Sequence, residues 1–376
     1  MSKKILSASD AIAEAVMLCK PKVISAYPIT PQTLIVEKLA DLTADHVGKG
    51  MDTEFVNVES EHSAMSVCIG AEATGARTFT ATSSQGLALM SELLYVASGM
   101  RLPIVTAVVN RALSAPLNIW GDHSDAMAQR DSGWMQFYVE SAQEAYDTIM
   151  QAYKISESTS IPAMVCVDGF TLSHVWENVE TINDIGNFVP EYNPEQTLLG
   201  QAPLTFGAIA YPQYYQQFKE KQHNDMVSSI DTIKKINAEF KDRFGRSYGD
   251  GLIEAYRMED AKSAVLALGS MCTTARAAVD EMRSNGKKIG LIKLKCFRPF
   301  PKKEIEKFSK LKGIAVIERA VSPGSSGPVY AEVKSVLPKV QMNNFITGLG
   351  GKDITKEMII KAAGKIGQKN EMEFLE

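Results

Sequence analysis

The sequence predicts an α/β fold: a doubly wound parallel sheet followed by a smaller α/β domain. Three observations predict it. Between residues 23 and 170, short apolar runs rich in β-branched and aromatic residues alternate with stretches of helical periodicity. The same alternation resumes from Ala264, after a stretch that lacks it. At 376 residues, 45% hydrophobic and 22% charged, the chain is long enough for two or three domains and ordinary for a globular protein.

Taken in order, the expected strands are Val23 to Tyr27, Glu54 to Val58, Arg77 to Thr82, Pro103 to Val109, Trp134 to Val139 and Ala163 to Asp168. Each is short and dense in residues that suit a pleated, buried surface. Helices lie before or between them. Ser9 to Cys19 opens on a residue that can cap it, and Thr33 to Ala44 closely follows Pro31. Glu61 to Gly75, Gln85 to Gly99 and Ala142 to Glu157 repeat apolar residues at three- and four-residue steps. Beyond Asn178 the rhythm stops, and Pro190, Pro194, Pro203 and Pro212 punctuate an irregular surface excursion. Tyr214, Phe218, Met226, Ile230, Ile233, Ile236 and Phe240 then mark one stripe, expected to be buried, on a long amphipathic connecting helix. From Ala264 come strand Ala264 to Leu268, helix Thr273 to Arg283, strand Gly290 to Lys295, helix Lys302 to Leu311 and strand Ile314 to Glu318. Helices Val329 to Leu337 and Thr355 to Ala363 flank a last strand, Asn344 to Thr347. The expected division is residues 1–250, with the connector within 178–250, and a smaller domain of residues 251–376.

Composition excludes several classes of function. Forty Lys+Arg against 44 Asp+Glu give a formal charge of -4 with no like-charge block, which disfavours nucleic acid and anionic membranes as partners. Nowhere do 18 apolar residues run together, and Met1 to Asp10 lacks the apolar core of a signal peptide, so a cytoplasmic location is expected. The five cysteines, Cys19, Cys68, Cys166, Cys272 and Cys296, are far apart with no C-x-x-C, which argues against a disulfide framework, a structural zinc or a Cys-ligated cluster in this chain.

The motifs narrow the field further. P-loop, Rossmann dinucleotide, G-x-S-x-G and H-E-x-x-H patterns are all missing from the sequence. Gly249-Asp250-Gly251 imitates the start of a thiamine diphosphate magnesium motif. It has no buried strand before it and no Asn between Leu252 and Asn285, so it reads instead as a turn before a helix. Three loops at the carboxyl ends of strands, where open α/β sheets bind ligands, carry the positive case. In Tyr27-Pro28-Ile29-Thr30-Pro31 two prolines stiffen the turn and fix the Thr30 hydroxyl; a plain helix-starting turn is the competing reading. Glu59-Ser60-Glu61 places two carboxylates where strand becomes helix. Either could answer the helix dipole, or one could bind a protonated ring nitrogen from an apolar setting. Arg111, directly after Val105 to Val109, has the planar fork that grips a carboxylate, or it pairs with a structural acid. The loop Trp120 to Asp125 reads as hydrogen bonding within a loop rather than a metal site, and Ser83, Ser84 and Gln85 as helix caps. A hydrolase built from Ser83, His123 and Asp125 is a weaker alternative.

Together, YPITPQT (Tyr27 to Thr33), ESEHSA (Glu59 to Ala64), GARTFTATSSQGL (Gly75 to Leu87), NRALSAP (Asn110 to Pro116), GDHSDAMAQRDSGW (Gly121 to Trp134), CFRPFP (Cys296 to Pro301) and GLGGKDIT (Gly348 to Thr355) strongly resemble the alpha subunit of pyruvate:ferredoxin oxidoreductases. The resemblance implies a transketolase-like fold, with a pyrimidine-binding domain followed by a transketolase C-terminal-like domain. It implies thiamine diphosphate shared with a beta subunit that holds Mg2+, and [4Fe-4S] clusters carried only by partner subunits. The implied partners are that beta subunit, a gamma subunit and a ferredoxin-like delta subunit, in a dimer of hetero-oligomers, with ferredoxin and coenzyme A as substrates. Glu61 would hydrogen-bond N1′ of the aminopyrimidine, Pro28 would pack beside the cofactor, and Thr30 and Arg111 would hold the 2-oxoacid. The implied reaction is pyruvate, coenzyme A and oxidised ferredoxin giving acetyl-CoA, carbon dioxide and reduced ferredoxin, reversibly. The same chemistry on a branched-chain 2-oxoacid or 2-oxoglutarate is the alternative, as is a non-catalytic scaffold subunit.

Overall fold

A computed structural model describes residues 2–46, 52–200, 204–369 and 372–376; Met1 and Pro203, used in the sequence reading, lie outside them. Numbered in chain order, its strands are β1 (Ser2–Leu6), β2 (Val23–Ala26), β3 (Glu54–Asn57), β4 (Thr78–Thr82), β5 (Val105–Asn110), β6 (Met135–Tyr138), β7 (Ala163–Asp168), β8 (Glu177–Thr181), β9 (Ile253–Tyr256), β10 (Ser263–Ala267), β11 (Ile289–Leu294), β12 (Cys296–Arg298), β13 (Gly313–Glu318), β14 (Gln341–Ile346) and β15 (Met372–Phe374). One sheet has the order β3-β2-β4-β5-β7-β6-β12 and is parallel except for β12; the other has the order β9-β11-β10-β13-β14-β15 and is parallel except for β9. Strands β5 and β7 are buried along their whole length, as expected of strands covered by helices on both faces. The fold is the mixed α/β architecture with parallel sheets that the alternation predicts.

Three buried clusters hold these layers together. One packs helices Ala8–Leu18 and Ala142–Thr159 and the lower half of helix Pro212–Phe244 against one face of the first sheet. A second is shared between the sheets, with Trp134, Tyr138 and Met164 packing among Leu266, Ile292 and Phe297. The third lies on the outer face of the second sheet. Each large apolar side chain fully withdrawn from water contributes roughly 1.5–3 kcal/mol, so the shared cluster binds the two sheets firmly. Among the described residues no helix is long and apolar enough to cross a membrane.

The structure departs from the sequence expectation in several places, among them helix Lys302–Glu306, which stops short of Leu311, and Tyr214 and Phe218 of the connector stripe, which are exposed. The stretch from Gln85 to Gly99 is two helices, Ser84–Leu89 and Ser91–Gly99, separated at Met90. The segment expected to be irregular contains β8, which pairs antiparallel with β1 in a two-stranded ribbon. The strand β12, within CFRPFP, joins the first sheet beside β6 although its neighbours in sequence belong to the second. The Gly249-Asp250-Gly251 turn leads into strand β9 rather than a helix: Asp250 Oδ1 accepts from the backbone N–H of Leu252 and Ile253, both at 3.0 Å. At Gly249, φ is +57° and an added Cβ would fall 1.9 Å from the Ile253 carbonyl oxygen, so only glycine fits there.

Helix Glu61–Ala73 is held at its far end by the connector, through Leu198 N–H donating to the Ala73 carbonyl at 2.8 Å. Beside it the buried Glu72 accepts from Thr78 Oγ1 at 2.7 Å. Burial pushes the Glu72 carboxyl up to about 8, against the pull of hydrogen bonds from Thr78 and Tyr192. A raised carboxyl keeps a proton in the folded chain that the unfolded chain has lost, so its contribution to stability falls as pH rises from about 4.5 to about 8. Glu72→Gln is expected to flatten this dependence by on the order of 1 kcal/mol per pH unit. Urea unfolding of both full chains at about pH 6 and about pH 8 checks it; equal slopes for the two would disprove it.

Candidate active site

Because β2, β3, β4, β5 and β7 are parallel, their carboxyl ends share one edge. The chain crosses sides between β2 and β4: β3 lies on one flank of β2 and β4 on the other, which opens a crevice at that edge. All of the candidate side chains sit there.

The loop after β2 is fixed by a residue that the sequence reading passed over. Gln32, fully buried, donates to the Ala81 carbonyl at 2.6 Å and accepts from Ile29 N–H at 3.2 Å, tying the loop to β4. Pro28 and Thr30 stay exposed at the edge. The Thr30 carbonyl accepts from Arg111 Nη1 at 3.0 Å, so two residues expected to act together are in direct contact. Arg111 is further held through Nε donating to the Asn118 carbonyl at 2.9 Å. Burial lowers its proton affinity, and the nearby charge of Asp125 restores part of it. Among the described residues no carboxylate forms an ion pair with Arg111, so the structural-acid reading fails.

The two carboxylates of Glu59-Ser60-Glu61 part company. Glu59 is exposed and accepts a short hydrogen bond from Ser63 Oγ, which holds its carboxyl below the usual range. Glu61, first residue of helix Glu61–Ala73 behind the cap Ser60, is only 6% exposed and has no hydrogen-bond or ion-pair partner among the described residues. Its room comes from Gly86: a Cβ there would lie 2.6 Å from Glu61 Oε1 and 2.5 Å from Thr82 Oγ1, itself buried without a partner among the described residues. A glycine inside a helix costs about 1 kcal/mol relative to alanine, and here the vacated space is what the carboxylate occupies. No hydrogen bond joins Glu61 to Thr30 or Arg111; it stands at the neighbouring strand end.

The loop from Gly121 to Asp125 spends its polar groups on the protein itself, the loop hydrogen bonding that the sequence suggested. Asp122 Oδ1 accepts from Ser124 N–H (2.9 Å) and Oγ (2.6 Å), and Oδ2 accepts from Gly350 N–H at 3.1 Å. The Ser83–His123–Asp125 arrangement is not assembled. Ser83 stands at the cap position of helix Ser84–Leu89 but donates to the Val109 carbonyl (2.6 Å) instead of capping, and His123 Nε2 pairs with Asp168 Oδ1 at 2.7 Å. Asp168 is buried and also accepts from Arg319 Nη1 (2.7 Å) and Ser270 N–H (2.6 Å). Burial alone would raise its carboxyl, but Arg319 and then His123 hold it well below the usual range. Arg319 also donates to the Gly121 carbonyl at 2.6 Å, and its own carbonyl accepts from His123 N–H at 2.9 Å. The second sheet thereby grips the loop that borders the site. Sequence reasoning did not anticipate Gly86, Asp168 or Arg319 in these roles; the short G-D-H-S-D spacing was the only hint.

Comparison with known proteins follows the same lines. The family profile described as pyruvate flavodoxin/ferredoxin oxidoreductase, thiamine diphosphate-binding, matches residues 14–238, and that of pyruvate:ferredoxin oxidoreductase core domain II matches residues 261–359. The chain is 47% identical over 358 residues to pyruvate synthase subunit PorA of Methanocaldococcus jannaschii, covering 93% of this chain and 91% of that one. It is 44% identical over 361 residues to ketoisovalerate oxidoreductase subunit VorA of Pyrococcus abyssi, covering 94% and 90%. In fold it is similar to a 2-oxoglutarate:ferredoxin oxidoreductase from Magnetococcus marinus, with a TM-score of 0.74 at 21% identity over 96% of this chain and 65% of that one. A split-gene transketolase gives a TM-score of 0.55 at 13% identity, covering 96% of this chain and 98% of that one.

Proposed function

The chain belongs to the pyruvate:ferredoxin oxidoreductase family, and from that premise we propose that it is the alpha subunit of a thiamine diphosphate-dependent pyruvate synthase. The reaction joins pyruvate, coenzyme A and oxidised ferredoxin to acetyl-CoA, carbon dioxide and reduced ferredoxin, and runs in either direction. One observation carries this reading: a buried carboxylate, Glu61, without a partner among the described residues, on the same sheet edge as the Thr30–Arg111 contact.

The residues fit the cofactor. A buried acceptor with no donor among the described residues suits a protonated ring nitrogen, and Gly86 leaves the carboxylate its space. Thiamine diphosphate, when bound, supplies the electron sink for removing carbon dioxide from a 2-oxoacid. Glu61 would hold the proton at N1′ of the aminopyrimidine, and Pro28, exposed at the edge, would pack beside the ring. Among the described residues Arg111 Nη2 has no hydrogen-bond partner, and it would take the 2-oxoacid carboxylate, with the Thr30 hydroxyl as a second contact. In this reading a beta subunit brings the magnesium and diphosphate grip, and the [4Fe-4S] clusters belong to partners, including a gamma and a ferredoxin-like delta subunit, in a dimer of hetero-oligomers. Leu117 and Trp120, exposed on the loop after β5, are surface such a partner would cover. Burial pushes all five thiols above their ordinary range, Cys68 to about 12, which suits packing rather than ligation. The reading also includes the division near residue 250 and a cytoplasmic location.

The test is the complex purified with its partner subunits and assayed with coenzyme A and ferredoxin or a viologen. Pyruvate is expected to give a kcat/KM at least roughly tenfold above those of 2-oxoisovalerate and 2-oxoglutarate. An equal or higher value on 2-oxoisovalerate would establish the branched-chain alternative. Arg111→Lys is expected to raise KM for pyruvate roughly ten- to a hundredfold, because the loss of the charge-assisted hydrogen bond from Nη2 removes about 1.5–3 kcal/mol; an unchanged KM would remove Arg111 from the substrate site.

A further inference from the structure

We propose that Asp125 is a positioning residue, whose carboxylate sets the direction in which Arg111 reaches the 2-oxoacid. The proposal rests on Arg111 binding that substrate. Asp125 is 1% exposed and stands where three segments meet at the sheet edge. Its Oδ2 accepts from the backbone N–H of Ser84, just after β4, at 3.0 Å and from that of Arg111, just after β5, at 2.9 Å. Its Oδ1 accepts from Asn110 Nδ2 at 2.9 Å and from the following N–H of Ala126 at 2.7 Å. One side chain thus supplies the acceptors that two strand ends lose as they leave the sheet, and one of the donors is the backbone of Arg111 itself.

The consequence follows from leverage. A guanidinium sits at the end of a long side chain, so a small rotation of its backbone moves it by on the order of 1 Å, enough to cost roughly a hundredfold in a positioned reaction. Arg111 Nε and Nη1 are already committed to the carbonyls of Asn118 and Thr30, so the direction of the remaining nitrogen depends on where the backbone is held. Asp125 holds it. The loop that carries Asp125 is in turn fixed by Arg319 from the second sheet, so that sheet reaches the substrate site without touching it.

The experiment uses the assembled complex carrying Asp125→Ala, Asp125→Asn or Arg111→Lys, with KM and kcat for pyruvate, KM for coenzyme A, and melting temperature measured for each. Asp125→Ala is expected to raise KM for pyruvate roughly ten- to a hundredfold and leave KM for coenzyme A unchanged. Asp125→Asn is expected to restore KM to within roughly threefold of wild type. Its amide oxygen can take the Ser84 and Arg111 N–H donors while its NH2 turns to Asn110 Oδ1, which is buried without a partner among the described residues; only the Ala126 N–H loses its acceptor. If Asp125→Ala does not assemble, Asp125→Ser takes its place with the same expectation. A wild-type KM for pyruvate in the Ala or Ser variant, whatever its melting temperature, overturns the proposal while Arg111→Lys still raises KM. An unchanged KM in Arg111→Lys overturns the substrate reading and this proposal with it.

Discussion

Glu61→Ala is expected to lower pyruvate-dependent ferredoxin reduction by the assembled complex roughly a hundred- to ten-thousandfold, the span of a lost acid–base group, while the complex still forms. Both halves follow from the surroundings of Glu61. Among the described residues it gives no hydrogen bond to the protein, so its removal leaves no buried donor unpaired. It occupies the first position of a helix already capped by Ser60, which accepts from Ser63 N–H at 3.2 Å, so the fold loses only the favourable dipole contact of about 0.3–1 kcal/mol. The carboxylate is therefore dispensable for folding and essential for the proposed chemistry, the signature of a group kept for a ligand. Glu61→Gln separates charge from shape: it keeps an acceptor in the same space and is expected to remain strongly impaired. Activity above about one-tenth of wild type in the alanine variant, with the partner subunits bound, would leave the scaffold alternative standing.

The largest expected effect on stability is at Arg319. Its guanidinium neutralises a buried Asp168 that also holds His123 and Ser270 N–H, and it donates to the Gly121 carbonyl. Arg319→Met leaves that carboxylate buried with a neutralising partner gone, which costs about 3–5 kcal/mol and lowers the melting temperature by on the order of 10 °C. A depressed carboxyl stabilises the fold above its unfolded value near 4 and loses that stabilisation as pH falls below it. The gap between wild type and Arg319→Met should therefore be widest near neutral pH and shrink below about pH 4. Asp168→Asn in the Arg319→Met background removes the stranded charge and is expected to recover part of the loss. Urea unfolding of the full chains measures all three; a gap below about 1 kcal/mol at neutral pH would show that the pair contributes little net.

Much of this site was legible before any coordinates. Thr30, Pro28, Glu61 and Arg111 each follow a strand of a parallel sheet, and such strands must end on one edge, so periodicity brought the three loops together. The residues alone left Glu59 and Glu61 equivalent; the family resemblance pointed to Glu61, and burial gives the physical difference: one is exposed with Ser63 as donor, the other enclosed beside Gly86. The turn at Gly249 was recognisable as a turn, but the strand after it was not, because β9 exists by pairing antiparallel with β11 rather than by its own composition.

By itself, the sequence determined the α/β class, the order of the two sheets and the family, because hydrophobic periodicity and contiguous motifs are local properties of the chain. Tertiary structure decided which carboxylate is enclosed, that Asp125 joins two strand ends, that β12 crosses to the first sheet, and that Arg319 meets Asp168 from the other. Those facts depend on residues far apart in the chain, and the burial that gives them their energy exists only once distant elements have closed around them.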